Sequence, residues 1–193
     1  MPRLLAFSLL MCGVAAVAPA ADDDRPRKRV PDAAFVPTPP DVVERMLDLA
    51  AVKKDDVVYD LGSGDGRIVI AAAKSHGCKA VGVELDRELV AKSRVRAKAA
   101  GVDKLATFEQ GDLFEADFSG ASVVALYILP AMSRKLIPKF DKLKPGTRIV
   151  CHCFPIPGVK PDQVLKVTSD EDDVERPVYL YTLPLTKEKS DDR

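Results

Sequence analysis

The sequence predicts a single doubly wound α/β domain, with a largely parallel sheet covered by helices on both faces. Three observations predict this fold. Short β-rich runs alternate with helical segments along the chain, one strand runs directly into a glycine-rich turn and a helix, and 47% of the residues are hydrophobic. The length of 193 residues suits one domain with a sizeable core and is too short for two full domains.

The first half of the domain alternates helix and strand. Pro40 and Asp41 suit the first turn of a helix that Thr38 can cap, and apolar residues recur behind them at helical spacing. The elements that follow are a strand over 56–61, an alanine-rich helix over 67–75, a strand over 80–84, a helix over 86–100 that Gly101 ends, and a strand over 106–110.

The second half continues the alternation and closes with two strands. A buried strand is predicted over 121–129 and a helix from about Met132, in which Pro138 forces a kink or a restart. The last elements are a strand over 147–154 and a pair of strands over 164–168 and 178–183, which an acidic turn at 169–173 joins.

The domain is assigned to residues 35–185. Residues 1–20 have a basic start, an apolar run and small residues at the end, a pattern typical of a cleaved signal peptide that exports the protein to the periplasm. The alternative is an uncleaved membrane anchor, in which case the arginines that follow keep the domain facing the cytoplasm. Residues 21–34 form a charged linker, and 186–193 form a disordered tail.

Composition excludes several classes of protein. Lysine plus arginine equals aspartate plus glutamate at 29 each, so a whole-chain basic field for nucleic acid is absent. Four cysteines are too few for a disulfide scaffold. Cys151, His152 and Cys153 are consecutive on a predicted strand and point to alternate faces, so no metal site is expected there.

The sharpest chemical signal is the run DLGSGDG, in which Asp60 precedes Gly62, Gly64 and Gly66 between a strand and a helix. Glycines let the backbone approach a ligand, and the amides at the start of a helix can bind an anion. The spacing G-x-G-x-G after a carboxylate differs from the G-x-G-x-x-G of dinucleotide enzymes. A tight turn without a ligand is the alternative interpretation.

Two further carboxylates follow the next two predicted strands. Glu84 can accept hydrogen bonds from both hydroxyls of a ribose, and Asp112 can accept one from an adenine amino group. A single carboxylate at such a position is more often a solvent-exposed acid in a loop. Because parallel strands end at the same side of a sheet, where open α/β sheets bind ligands, Asp60, Glu84 and Asp112 together predict a nucleoside site.

At these residues the chain resembles the class I S-adenosylmethionine-dependent methyltransferases. More narrowly, it is similar to the protein-lysine methyltransferases that include archaeal broad-specificity and mitochondrial ATP-synthase c-subunit enzymes. The resemblance covers about residues 35–158 and is carried by FVPTP, VVYDLGSGDGRIVIAAAK, AVGVELD, EQGDLFEADF, ALYILP and KPGTRIVCHCFPIPG. It implies seven strands in the order 3-2-1-4-5-7-6, with the last strand antiparallel.

The resemblance implies S-adenosyl-L-methionine as the cofactor. It assigns the methionine part to Asp60 and the glycines, the ribose to Glu84 and the adenine to Asp112. The full set of cofactor-binding candidates is Thr38, Asp60, Gly62, Ser63, Gly64, Gly66, Glu84, Asp112 and Leu113.

The resemblance also implies in-line methylation of lysine amines in a protein partner. The Asn-Pro-Pro-Tyr signature of amino-directed nucleic-acid methyltransferases is replaced by Tyr127-Ile128-Leu129-Pro130, so no nucleic-acid substrate is expected. Tyr127 is the candidate catalytic residue, lining the acceptor channel through its ring or hydroxyl, and a core tyrosine is the alternative. The alternative functions are a small-molecule methyltransferase and a non-catalytic cofactor-binding module.

Overall fold

The computed structural model of the chain describes residues 35–188. The predicted signal peptide or anchor at 1–20 and the predicted linker at 21–34 lie outside the described residues, as do residues 189–193 of the predicted tail. None of the helices within the described range has both the length and the hydropathy that a bilayer-spanning segment requires.

The described residues form four α-helices and seven β-strands, numbered here in chain order. The helices are α1 (Pro40–Leu49), α2 (Arg67–His76), α3 (Arg87–Ala99) and α4 (Pro130–Phe140). The strands are β1 (Val57–Leu61), β2 (Lys79–Glu84), β3 (Ala106–Gln110), β4 (Val123–Leu126), β5 (Arg148–His152), β6 (Gln163–Thr168) and β7 (Glu175–Thr182). Every predicted element is present, with boundaries that differ by a few residues.

The strands form one sheet in the order β3-β2-β1-β4-β5-β7-β6. In the part of the sheet formed by β3-β2-β1-β4-β5, every pair of neighbouring strands is parallel. β7, in contrast, runs antiparallel to both β5 and β6. We call the side of the sheet where the parallel strands end its carboxyl end, and the opposite side its amino end. This order and the antiparallel strand confirm the predicted fold.

Strand β4 shows how the core is divided between the two faces. All four of its residues are buried. Val123 and Ala125 belong to the apolar cluster that also contains residues of α1, α2 and α3, whereas Val124 and Leu126 belong to the cluster that contains α4. Because successive side chains of a strand point to opposite faces, a central strand of a doubly wound sheet is apolar at every position.

Strands β4 and β5 are shorter than predicted. β4 ends at Leu126, the last residue paired with both β1 and β5, and the chain then leaves the sheet for α4. β5 ends at His152 because Cys153 has a φ of +61°, which is incompatible with an extended strand. Tyr127 and Phe154 therefore lie in loops at the carboxyl end of the sheet and not in strands.

The cap predicted for α1 is not formed. Pro39 occupies the capping position without a side-chain hydrogen bond, and Pro40 opens the helix. The hydroxyl of Thr38 instead shares a hydrogen bond of 3.0 Å with Nδ1 of His152. The side chain of Thr38 thus links the segment before α1 to the end of β5.

α4 continues through Pro138, so the helix does not restart there, and the predicted kink at Pro138 stays a prediction.

The predicted tail begins with ordered residues. Residues 186–188, the start of the predicted tail, are paired: the amide of Lys160 donates to the Thr186 carbonyl (2.8 Å), and the amide of Glu188 donates to the Gly158 carbonyl (3.0 Å). The ordered domain therefore extends past residue 185 to at least Glu188.

A buried carboxylate connects three strands at the amino end of the sheet. Asp56, just before β1, accepts hydrogen bonds from the Ser122 hydroxyl and the Lys53 amide, both at 2.7 Å, and pairs with Arg148 at the start of β5. Burial alone would raise the pKa of Asp56, but these partners outweigh burial and hold the pKa below its usual value. The ionised Asp56 thus stabilises the junction of β1, β4 and β5.

Replacing Asp56 with Asn should lower the free energy of unfolding by about 2 kcal/mol, because Arg148 loses a buried counter-charge. In the wild type, the contribution of Asp56 to the free energy of unfolding should be fully present above about pH 4, the usual pKa of aspartate in an unfolded chain. It should disappear as the pH falls through the pKa that Asp56 has in the folded protein, which is lower. Urea unfolding followed by circular dichroism, at neutral pH and at about pH 3, measures both effects. The exposed neighbour Asp55→Asn is the control, and equal losses in the two variants would contradict this assignment.

Candidate active site

A glycine loop joins β1 to α2 at the carboxyl end of the sheet. Gly62, Gly64 and Gly66 have φ angles of +87°, +54° and +78°, a region that residues with a side chain rarely adopt. The amides of Gly62 and Ser63 donate to the Val83 carbonyl at 2.8 and 3.0 Å, which holds the loop against the end of β2. The predicted glycines therefore lie together where β1 and β2 end.

The residues predicted after β3 lie beside the first glycine of this loop. A Cβ built on Gly62 would lie 3.4 Å from Ile128 Cγ2 and 3.8 Å from Leu113 Cδ2. Asp112, next to Leu113, accepts a hydrogen bond of 2.9 Å from the Phe114 amide, which holds its carboxylate at the end of β3. The structure thus brings the β3 candidates to the same end of the sheet as the glycines.

The Glu84 carboxylate is a further contact between β2 and the glycine loop. Its Oε2 accepts a hydrogen bond of 2.8 Å from the Gly64 amide, and its Oε1 accepts one of 2.9 Å from the Asp86 amide. Each carboxylate oxygen has a second lone pair for a ligand hydroxyl. Glu84 therefore supports the loop, a structural role that the sequence did not predict. It also keeps acceptor capacity for the predicted ribose.

Asp60 lies in β1, directly below the glycine loop, and is 3% exposed. Among the described residues, none donates a hydrogen bond to its carboxyl group. Burial, followed by the negative charges of Glu84 and Asp65, raises the pKa of Asp60 to about 8. A neutral carboxylic acid therefore lies where the sequence predicted a ligand-binding carboxylate, and a nearby cation would favour its ionised form.

Asp65, which lies within the glycine loop, is ionised. Burial alone would raise the pKa of Asp65, but hydrogen bonds and charges from Arg67 and Arg96 outweigh burial and lower it. Nε and Nη2 of Arg67 bond the two carboxylate oxygens at 3.0 and 2.9 Å, and Arg96 forms an ion pair with the same group. Sequence reasoning missed this residue, although an arginine two positions away was the available signal.

An aromatic group lies at the carboxyl ends of β4 and β5. Tyr127 is half-buried, with its ring centroid 4.1 Å from that of His152 and 6.2 Å from that of Phe154, against which it is stacked. Burial, and then the neighbouring Cys153, raise the pKa of Tyr127, so its phenol stays protonated at neutral pH. This placement is compatible with the predicted acceptor channel, and the catalytic role of Tyr127 stays a prediction.

Besides the Asp60 carboxyl group, two side-chain atoms that are completely shielded from solvent among residues 35–188 have no hydrogen-bond partner: Ser63 Oγ and His152 Nε2. The Ser63 side chain packs over β2, where a Cβ on Gly82 would lie 2.6 Å from Ser63 Oγ. Ser63 therefore contributes to the loop through its backbone.

Burial, followed by the positive charge of Arg176, lowers the pKa of His152 to about 4, which keeps the ring neutral. Sequence reasoning weighed His152 only as a metal ligand and missed its place in the site.

Within the described part of the chain, no three His, Cys, Asp or Glu side chains come together to hold a metal ion. Cys151 belongs to the apolar cluster around α4, whereas the next residue, His152, bonds Thr38. The two side chains lie on opposite faces of β5, as strand geometry requires.

The sequence of this chain is similar to those of known proteins. The family model of the ANTKMT methyltransferase domain matches residues 60–163. The chain is 46% identical over 156 residues to a protein-lysine N-methyltransferase of Saccharolobus islandicus, a match that covers 80% of this chain and 96% of that protein. It is 42% identical over 129 residues to the mouse ATP synthase c-subunit lysine N-methyltransferase, covering 66% of this chain and 51% of the mouse protein. The chain thus spans about half the length of the mouse relative.

The chain is also similar to proteins of solved structure. The crystal structure of an RNA methyltransferase from Salinibacter ruber in complex with S-adenosyl-L-homocysteine shares 51% sequence identity, with a TM-score of 0.71 over 81% of this chain and 98% of that chain. TrmN from Thermus thermophilus, at 21% identity, has a TM-score of 0.60 over 77% of this chain and 49% of its own, a likeness of fold alone. The names of the Saccharolobus islandicus, mouse and Salinibacter ruber relatives agree on methyl transfer and differ in the acceptor, protein lysine or RNA.

Replacing Glu84 with Ala should lower the free energy of unfolding of the ligand-free protein by about 2 kcal/mol, because the amides of Gly64 and Asp86 lose a charged acceptor. Thermal unfolding without added ligand measures the loss. Glu44→Ala, on the exposed side of α1, is the matched control and should leave the unfolding temperature unchanged. An unchanged unfolding temperature in both variants would mean that Glu84 does not support the loop.

Proposed function

This chain belongs to the family of the ANTKMT methyltransferase domain, and from that premise we propose that it methylates lysine side chains of proteins. The observation that carries the proposal is its similarity to an archaeal protein-lysine N-methyltransferase along nearly the whole length of that relative. When bound, S-adenosylmethionine supplies an activated methyl group on a sulfonium sulfur.

The residues at the carboxyl end of the sheet fit a cationic nucleoside cofactor. Asp60 is a buried acid without a hydrogen-bond partner among the described residues, and a nearby positive charge would allow it to ionise. Glu84 and Asp112 offer acceptors for ribose hydroxyls and an adenine amino group. Asp65 is already neutralised by two arginines, so Asp60, at the end of β1, is the acid that is left for a ligand cation.

The aromatic group at the ends of β4 and β5 suits a lysine acceptor. A lysine amine must lose its proton before it can attack, which costs about 4.6 kcal/mol at pH 7 for an unperturbed pKa near 10.4. A lysine side chain lying against the rings of Tyr127 and Phe154 and the neutral ring of His152 would lose part of its hydration, and loss of hydration lowers that cost.

RNA is the second candidate acceptor, because the Salinibacter ruber relative is named an RNA methyltransferase. Two features of this chain favour protein instead. Its formal net charge is zero, so it lacks the basic field that binds a phosphate backbone. The Tyr-Ile-Leu-Pro sequence after β4 also lacks the polar Asn that would bind the exocyclic amine of a base.

The acceptor is tested by incubating the protein with methyl-labelled S-adenosylmethionine and, separately, a lysine-rich protein mixture, total RNA and a metabolite extract. We expect label in the protein fraction, at lysines that mass spectrometry can map. Glu84→Ala should lower incorporation at least tenfold, while the exposed Glu44→Ala should not change it. Label confined to RNA or to small molecules would overturn the lysine proposal, and cofactor binding with no label in any fraction would make the chain a non-catalytic module.

Asp60 should lose its proton when the cofactor product S-adenosylhomocysteine binds, because the ligand ammonium stabilises the carboxylate. Calorimetry at about pH 6.5, in buffers of different ionisation enthalpy, should therefore record about one more proton released by the wild type than by Asp60→Asn. The wild-type affinity should rise with pH toward the free pKa of Asp60, about 8, and then level off. Equal proton release by both proteins would show that Asp60 is not the ionising group.

A further inference from the structure

A short strap connects the two halves of the candidate site. We define the strap as residues 35–39, the segment that precedes α1. At one end, the Phe35 ring lies over the glycine loop, so closely that a Cβ on Gly64 would lie 2.2 Å from Phe35 Cε2. Further along, the Thr38 carbonyl accepts a hydrogen bond of 2.6 Å from Nη1 of Arg67, the first residue of α2. The strap thus contacts the loop side of the site through both its side chains and its backbone.

The same strap also holds the aromatic side of the site. The Thr38 hydroxyl bonds Nδ1 of His152 at 3.0 Å, and both residues are almost completely buried. Since Nε2 of His152 has no partner among the described residues, Thr38 provides the one hydrogen bond that orients the imidazole there. The imidazole in turn packs against Tyr127 at a centroid distance of 4.1 Å.

We propose that His152 is a positioning residue that couples the cofactor side of the site to Tyr127 through Thr38. A ligand lying on the glycine loop must contact or displace the Phe35 ring, which is 45% exposed and has solvent on its outer side. A shift of the strap changes the position of the Thr38 hydroxyl, and the imidazole and the Tyr127 ring follow. The inference rests on the proposed function, because it needs both a bound cofactor and an acceptor that contacts Tyr127.

Nitrogen NMR of the histidine rings tests this coupling without knowledge of the acceptor. The chain contains two histidines, so the spectrum of the untagged protein has only two sets of ring signals. His76, the last residue of α2, lies at the amino end of the sheet and is an internal control. Saturating S-adenosylhomocysteine should shift the ring signals of His152 and leave those of His76 in place.

Variants of the strap show whether Thr38 carries the effect. Thr38→Val removes the hydroxyl and should abolish the shift at His152, whereas Thr38→Ser keeps the hydroxyl and should retain it. Phe35→Ala leaves the hydrogen bond intact and should weaken the shift. If calorimetry shows bound S-adenosylhomocysteine while His152 does not respond, the coupling is wrong and the proposed function stands. If no S-adenosylhomocysteine binds, the proposed function fails and the coupling fails with it.

Kinetics separates positioning from simple structural support. His152→Phe keeps a ring against Tyr127 but removes the bond to Thr38, so the KM for a lysine-rich histone mixture should rise about fivefold or more. Its Kd for S-adenosylhomocysteine should stay within about twofold of the wild type, and adding Thr38→Val should cause little further loss. Parallel losses of cofactor binding and acceptor use, or full additivity of the two substitutions, would overturn the proposal.

Discussion

Two backbone amides, those of Gly64 and Asp86, converge on the Glu84 carboxylate at the end of β2. This carboxylate fixes the glycine loop and the start of α3 relative to the same strand. Its negative charge also adds to burial in keeping Asp60 protonated. One side chain therefore sets both the shape of the loop and the protonation state of the acid below it.

The charges of the candidate site are divided between two regions. Around the glycine loop, Asp65 is paired with arginine and Glu84 accepts hydrogen bonds from two backbone amides, whereas Asp60 is held neutral without a hydrogen-bond partner. At the ends of β4 and β5, the facing groups are a protonated phenol, a neutral imidazole and an aromatic ring. This division matches the chemistry of methyl transfer to an amine, in which the donor is cationic and the acceptor must be uncharged when it attacks.

The sequence predicted those features that follow from local patterns. The alternation of strands and helices located every element, and the positions of Asp60, Glu84 and Asp112 at strand ends placed them at one end of the sheet. The resemblance to known methyltransferases supplied the strand order, which the structure confirms. The local predictions succeed because each depends on residues close together in the chain.

The features that the sequence missed depend on contacts between distant segments. The hydrogen bond between Thr38 and His152 joins residues 114 positions apart, and it replaces the helix cap that local sequence favours. The end of β4 is set by where its neighbours stop pairing, which an apolar run does not reveal. Asp60 at the end of β1 and Asp65 in the glycine loop are only five residues apart, yet the structure is needed to show that Arg67 and Arg96 both pair with Asp65 and leave Asp60 without a cation.

The two ends of the described chain leave the domain at different places. Phe35 lies over the glycine loop at the carboxyl end of the sheet, whereas β7 ends beside the start of β5, at the amino end, and residues 186–188 follow shortly after it. A surface attachment, a fluorescent label or an affinity handle joined directly to Phe35 would therefore lie next to the strap and the site. The same group joined after Glu188 would follow a segment that pairs with residues 158–160 and not with the strap, which makes the carboxyl-terminal side the appropriate one for immobilising this protein.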